Sequence, residues 1–124
     1  MRIWVGGSRT WIGSKKIESY LNYIWDRFDG PDVEFILVHG DCPNSPDHIA
    51  RDHLCRNRKN PWINEPHPAN WDLYDRAAGP IRNNEIARSK PDFAIFFWDG
   101  TSRGTENSIK LCTQYRISFQ VVFS

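Results

Sequence analysis

The stretch that most constrains this chain is Pro91 to Thr105, Pro-Asp-Phe-Ala-Ile-Phe-Phe-Trp-Asp-Gly-Thr-Ser-Arg-Gly-Thr. Phe93 to Trp98 is an unbroken apolar run, too short for a free-standing helix and bounded by Pro91 and Gly100. That is the pattern of a strand buried on both faces, and it is expected to be the central strand of a sheet. Asp99, Gly100, Gly104 and several small or hydroxyl residues follow it, and the spacing then predicts a helix from about Ser102 to Tyr115. A glycine-rich turn between a strand and a helix leaves backbone N–H groups unpartnered at the positive end of the helix dipole. The stretch is therefore a candidate phosphate cradle, although the same glycines also suit an ordinary tight turn.

The rest of the chain repeats this strand-to-helix unit. Arg2 to Val5 reads as a short strand ended by the turn Gly6-Gly7-Ser8-Arg9. Ile17, Tyr20, Leu21, Ile24 and Phe28 share one helical face, with Ser14 as the expected N-cap. After Gly30-Pro31 comes a second buried strand, Val33 to His39, ending in Gly40-Asp41-Cys42-Pro43. Ser45-Pro46 opens a helix expected to reach Arg58. Trp62 to Glu65 reads as a brief strand, residues 66–78 as irregular, and Pro80 as the first position of a helix running to about Ser89. A last strand is expected at Ser118 to Phe123. Strands joined by helices run parallel with helices on both faces. The order predicts a single α/β domain over residues 1–124, a Rossmann-like three-layer sandwich with a five-stranded parallel sheet.

Composition narrows the function classes. With 40% hydrophobic and 25% charged residues the chain is an ordinary globular one, and a net charge of +1 offers no global argument for nucleic acid. The basic run Arg51 to Lys59 suits the solvated face of a helix. No apolar stretch approaches the roughly 20 residues that span a membrane, so a cytoplasmic protein without membrane association is expected. Cys42, Cys55 and Cys112 have neither disulfide-framework nor zinc-site spacing, and His48 and His53 lie five apart, so no metal or cofactor is expected.

In parallel sheets ligands bind at the carboxyl ends of the strands, where strand order reverses. Three strand-end turns rich in glycine and small polar residues fall on that edge: Gly6 to Arg9, Gly40 to Cys42, and Asp99 to Thr105. Arg82, with its planar fork, is a candidate clamp for phosphate or ribose, or a partner for Asp41 or Asp99. Asn83 beside it can bond ribose hydroxyls or cap a strand end. Arg9 is a second phosphate candidate. Asp41 and Asp99 can accept ribose hydroxyls or simply form turns. Trp11 and Trp98, near these turns, are candidates for stacking on a base. Glu85, one turn beyond Arg82, is the carboxylate in that block able to act as general acid or base.

Gly7-Ser8-Arg9 with Trp11, His39-Gly40-Asp41-Cys42-Pro43, His67-Pro68-Ala69-Asn70-Trp71 with Tyr74, Arg76-Ala77-Ala78-Gly79-Pro80-Ile81-Arg82-Asn83, and Phe97-Trp98-Asp99-Gly100-x-Ser102-x-Gly104-Thr105 resemble, in this order over nearly the whole chain, the YspA-like, cpYpsA-related family of the SLOG superfamily. The resemblance implies a Rossmann-like domain for nucleotides or nucleotide-derived ligands, in a superfamily that includes the LOG phosphoribohydrolases and the DNA-processing protein DprA. It also implies a homo-oligomer, and a setting among phages and bacterial conflict systems.

The LOG motif Met-x-x-Arg-Lys-x-x-Met is similar to the segment around Arg82, and Pro-Gly-Gly-x-Gly-Thr-x-x-Glu is similar to Asp99 to Ser108. Ser108 stands where that glutamate belongs. Binding of a nucleoside monophosphate, ADP-ribose or a cyclic nucleotide signal, as sensor or sponge, is therefore the expected function. The ligand set is Gly7, Ser8, Arg9, Trp11, Gly40, Asp41, Arg82, Asn83, Trp98, Asp99, Gly100, Ser102, Gly104 and Thr105. The alternative is an N-glycosidic hydrolase using Arg82 and Glu85. Single-stranded DNA, through Arg51 to Lys59 by analogy with DprA, is a third and weaker reading.

Overall fold

The computed structural model describes residues 1–11, 13–54 and 61–123. Five strands, β1 (Arg2–Gly7), β2 (Ile36–His39), β3 (Ile63–Pro66), β4 (Phe93–Trp98) and β5 (Phe119–Phe123), form one parallel sheet in the order β3-β2-β1-β4-β5. Helices α1 (Ser14–Phe28), α2 (Pro46–Leu54), α3 (Trp71–Tyr74), α4 (Ala78–Arg88) and α5 (Arg103–Gln114) connect the strands and cover both faces. This is the expected Rossmann-like three-layer sandwich. Among the described residues no helix is long and apolar enough to cross a membrane.

Side-chain alternation along β1 and β4 builds the two core layers. Ile3, Val5, Ile95 and Phe97 point to one face, where they meet Ile17, Leu21 and Ile24 of α1 and Ala50 and Leu54 of α2. Trp4, Ala94 and Phe96 point to the other, against Ile86 and Ala87 of α4 and Leu111 and Cys112 of α5. Phe93 to Trp98 is thus buried on both sides as its sequence requires, but the middle strand is β1, with β4 between β1 and β5.

Several boundaries differ from the sequence expectation, each for a local reason. Gly6 and Gly7 belong to β1, because they pair with Phe96 and Phe97; their lack of side chains suits close packing more than turning. Gly13, at φ 109°, takes the N-cap position of α1, so Ser14 is the first helical residue and caps nothing. Val33 is exposed and the second strand starts only at Ile36. Ser45 is the cap expected of it: its Oγ accepts from Asp47 N at 3.2 Å and donates to Cys42 O at 2.6 Å. Residues 71–77 are not irregular. Asn70 Oδ1 caps α3 by accepting from Leu73 N at 3.1 Å, and a 3₁₀ turn at Asp75–Ala77 runs directly into α4. Pro80 is consequently the third residue of α4, and Arg82 lies in its second turn. The expected extension of α2 to Arg58, Cys55 and the basic run beyond Leu54 lie outside the described residues.

Candidate functional site

Strand order reverses between β1 and β4, so the loops leaving their carboxyl ends run to opposite sides of the sheet and leave a crevice between them. A cleft of ≈ 590 Å³ opens at this point. Gly6 and Gly7 at the end of β1 line it with Gly40 after β2, Asp47 at the start of α2, Gly79 to Asn83 of α4 except Ile81, and Ser102 to Ser108 around the start of α5 except Glu106. Segments far apart in sequence, near residues 7, 40, 82 and 104, therefore meet at one rim.

The base of the cleft is stitched by Ser8 and Gly7. Ser8 is buried; its N–H donates to Phe97 O at 2.9 Å and its Oγ accepts from Asp99 N at 3.0 Å, tying the ends of β1 and β4 together. A Cβ on Gly7 would collide with the Phe97 carbonyl oxygen and lie 2.5 Å from Pro46 Cγ, so only glycine fits where β1, β4 and α2 converge.

Arg82 is half-buried and held by backbone rather than by a carboxylate. Its Nη1 donates to Gly40 O and, at 3.5 Å, to His67 O; its Nε donates to Asn83 Oδ1 at 2.7 Å; both Nη atoms lie 3.8 Å from Cys42 Sγ. Neither Asp41 nor Asp99 pairs with it. The guanidinium occupies the place of a side chain on Gly40, where a Cβ would lie 2.6 Å from Arg82 Cζ. Asn83 in turn donates to Asn107 Oδ1 at 3.1 Å and Gly104 O at 3.5 Å, so it brackets α4 against the first turn of α5. Burial, followed by the nearby Asp47, pushes the Cys42 thiol up, with Arg82 opposing, which keeps it a neutral neighbour of the arginine.

Asp99 is engaged by its own turn. Its Oδ1 accepts from Thr101 N and Ser102 N, each at 2.8 Å, and its Oδ2 from Thr10 Oγ1 at 2.7 Å. These bonds, the Thr101 N–H first, hold its carboxyl well below the usual carboxylate range. Asp41, at φ 55°, faces His48 (2.7 Å) and Arg51 (3.9 Å) and does not line the cleft. His39 behind it accepts from Asp41 N through Nδ1 (3.0 Å), which leaves Nε2–H to donate to Asn64 Oδ1 (2.7 Å); burial lowers its pKa and keeps it neutral.

Of the other expected site residues, Arg9, Ser102, Gly104 and Thr105 line the cleft, while Gly100, at φ 87°, serves the turn beside it. Trp11 packs edge-on against Phe97 in the core, and Trp98 bonds Ser102 O through Nε1 at 3.0 Å and lies against Phe123; neither ring lines the cleft. Glu85 is exposed, bonded to His67 Nδ1 at 3.2 Å, and also outside the lining. Ser108, in place of the LOG glutamate, donates to Gly104 O at 3.2 Å inside its own helix.

The lining also includes Trp71, one of the aromatic faces the sequence offers, and residues that sequence reasoning misses: Arg76, Asp47, Arg103 and Trp4. Arg76 and Arg103 stand inside the very segments that carry the resemblance, and their charge is the available signal. Among the described residues, Arg9, Arg76 and Arg103 are exposed and have no ion-pair partner. Gly104, in the first turn of α5, is exposed, and apart from its chain neighbours and the helix's own backbone nothing lies within 4 Å of where its Cβ would be. Comparison with family models, curated proteins and solved structures gives no match for this chain.

Proposed function

We propose that this cleft binds a nucleotide or nucleotide-derived ligand, a nucleoside monophosphate, ADP-ribose or a cyclic nucleotide signal, and that the protein acts as its sensor or sponge. The observation that carries the reading is the set of arginines on one concave surface. Arg9, Arg76 and Arg103 lack carboxylate partners among the described residues, and Arg82 is aimed by backbone carbonyls. Like-charged guanidinium groups lining one cleft favour an anion, and a phosphate can take charge-assisted, bidentate bonds from them. The unfilled space at Gly104, beside the α5 N-terminus, suits the same anion. Trp71, half exposed and lining the cleft next to Gly79, offers the aromatic face for a base that Trp11 and Trp98 do not.

The resemblance to the YspA-like family supports this ligand class and adds a phage-linked setting, and a cytoplasmic location is proposed with it. Homo-oligomer formation is part of the proposal, with exposed Leu73, Tyr74 and Ile81 on α3 and α4 as the apolar surface available for it. The hydrolase reading gains no carboxylate from Ser108 or Glu85, so binding is preferred.

Calorimetry with AMP, ADP-ribose and cyclic dinucleotides tests the proposal: at least one is expected to bind in the micromolar range, more weakly as salt is raised. No affinity tighter than roughly millimolar, about −4 kcal/mol, would remove it. Trp71→Ala is expected to weaken the bound nucleotide about tenfold, in line with base–aromatic stacking. The same variant should leave pyrophosphate binding within twofold; an equal loss for both ligands would show that Trp71 supports the cleft rather than the base.

A further inference from the structure

Asp47 lines the cleft, and the proposed phosphate and base contacts leave its chemistry unused. Its side chain is almost fully enclosed, with 4% of the residue exposed, and it sits in the first turn of α2. One oxygen, Oδ2, holds the loop after β2 in place by accepting from Gly40 N at 3.1 Å and Cys42 N at 3.3 Å. The other, Oδ1, has no hydrogen-bond partner among the described residues. It is not sealed in the core, since among the described residues the fully enclosed unpartnered side-chain atom is Trp62 Nε1. Asp47 instead reaches the cleft wall beside Gly40 and Arg82.

A nearly buried carboxylate on a cleft wall, with one oxygen tied down and the other unpartnered among the described residues, calls for a donor on the incoming ligand, because an unpaired buried acceptor is costly. Burial pushes the Asp47 carboxyl up from its ordinary range while His39, the Cys42 N–H and Arg82 oppose that, so a further donor on a ligand favours the charged, accepting form. The two acids expected to take a sugar are committed elsewhere: Asp99 to its own turn and Thr10, Asp41 to His48 and Arg51.

We infer that Asp47 Oδ1 is the acceptor for the vicinal hydroxyls of a ribose, so that the cleft selects ribonucleotides over deoxynucleotides and over phosphate alone. This inference rests on the nucleotide reading of the cleft and deepens it. The division of labour is spatial. Arginines at the rim take the phosphate, while the carboxylate at the wall takes the sugar.

Asp47→Asn isolates the open oxygen. The amide oxygen can keep accepting from Gly40 and Cys42, while the unpartnered atom changes from acceptor to donor. Wild-type protein is expected to bind AMP at least about tenfold tighter than 2′,3′-dideoxy-AMP, the worth of one hydrogen bond to a charged group. In Asp47→Asn the two nucleotides should bind within twofold of each other. A second measurement needs no variant: the ¹³C carboxyl resonance of Asp47 in the wild-type chain should shift on adding AMP but not pyrophosphate. Equal wild-type affinity for AMP and its dideoxy analogue, or discrimination that survives in Asp47→Asn, overturns the inference while leaving the phosphate site standing. Failure of AMP and pyrophosphate alike to bind overturns both readings together.

Discussion

Gly7→Ala is expected to destabilise the protein by about 3 kcal/mol and to lower its melting temperature by about 10 °C in a thermal scan. The added methyl group would run into the Phe97 carbonyl oxygen and come within 2.5 Å of Pro46 Cγ. Neither neighbour is the movable end of a long side chain. Phe97 O also accepts the Ser8 N–H, so yielding there loosens the stitch between β1 and β4. The collision falls where strand order reverses, and the same variant should therefore lose ligand affinity along with stability. Gly104→Ala provides the contrast, because nothing in the protein fills the space its methyl would enter. It is expected to leave the melting temperature unchanged or to raise it by a few degrees, through better helix propensity, while reducing nucleotide affinity. A Gly7→Ala protein as stable as wild type would mean that β1 and β4 can part at this end.

These two glycines also show how far the sequence can be read. Both belong to stretches marked as glycine-rich turns, and nothing in a glycine's identity tells a packing requirement from a ligand requirement. The architecture is legible because it follows from pattern: the unbroken apolar run of β4, the one-sided helix face of α1, and the proline and hydroxyl pair opening α2. The segment after β3 is not legible. Its helical turns begin from an Asn70 cap followed by Trp71-Asp72-Leu73-Tyr74, all exposed, so no apolar period announces them. The aromatic assignments fail for a related reason. Trp11 and Trp98 lie close in sequence to the turns, but side-chain direction is set by the fold, which turns one into the core and the other toward Phe123. Asp47 carries no signal beyond that of a first-turn acid in a helix. Its approach to Gly40 N–H exists only once β2 and α2 are packed.

Arg82→Ala is expected to weaken nucleotide binding about 100-fold, near 3 kcal/mol for a charge-assisted, multiply bonded contact. The cost to folding should be smaller, about 1–2 kcal/mol, because the guanidinium is only half-buried and its backbone acceptors, Gly40 O and His67 O, lie beside an open cleft that water can enter. Arg82→Lys restores the charge but not the fork, and should recover only part of the affinity. Gly40→Ala separates position from presence. It keeps the arginine but puts a methyl group where the guanidinium now rests, 2.6 Å from Cζ, and the long side chain can swing away at little cost to the fold. If Arg82 grips the phosphate from its present position, Gly40→Ala should lose about tenfold in affinity with a melting temperature within a few degrees of wild type. If Arg82 is instead a strut joining α4 to the end of β2, both substitutions will lower the melting temperature and leave affinity within twofold. Calorimetry and a thermal scan on the same three proteins separate the two cases, since a strut acts on stability and a clamp on binding.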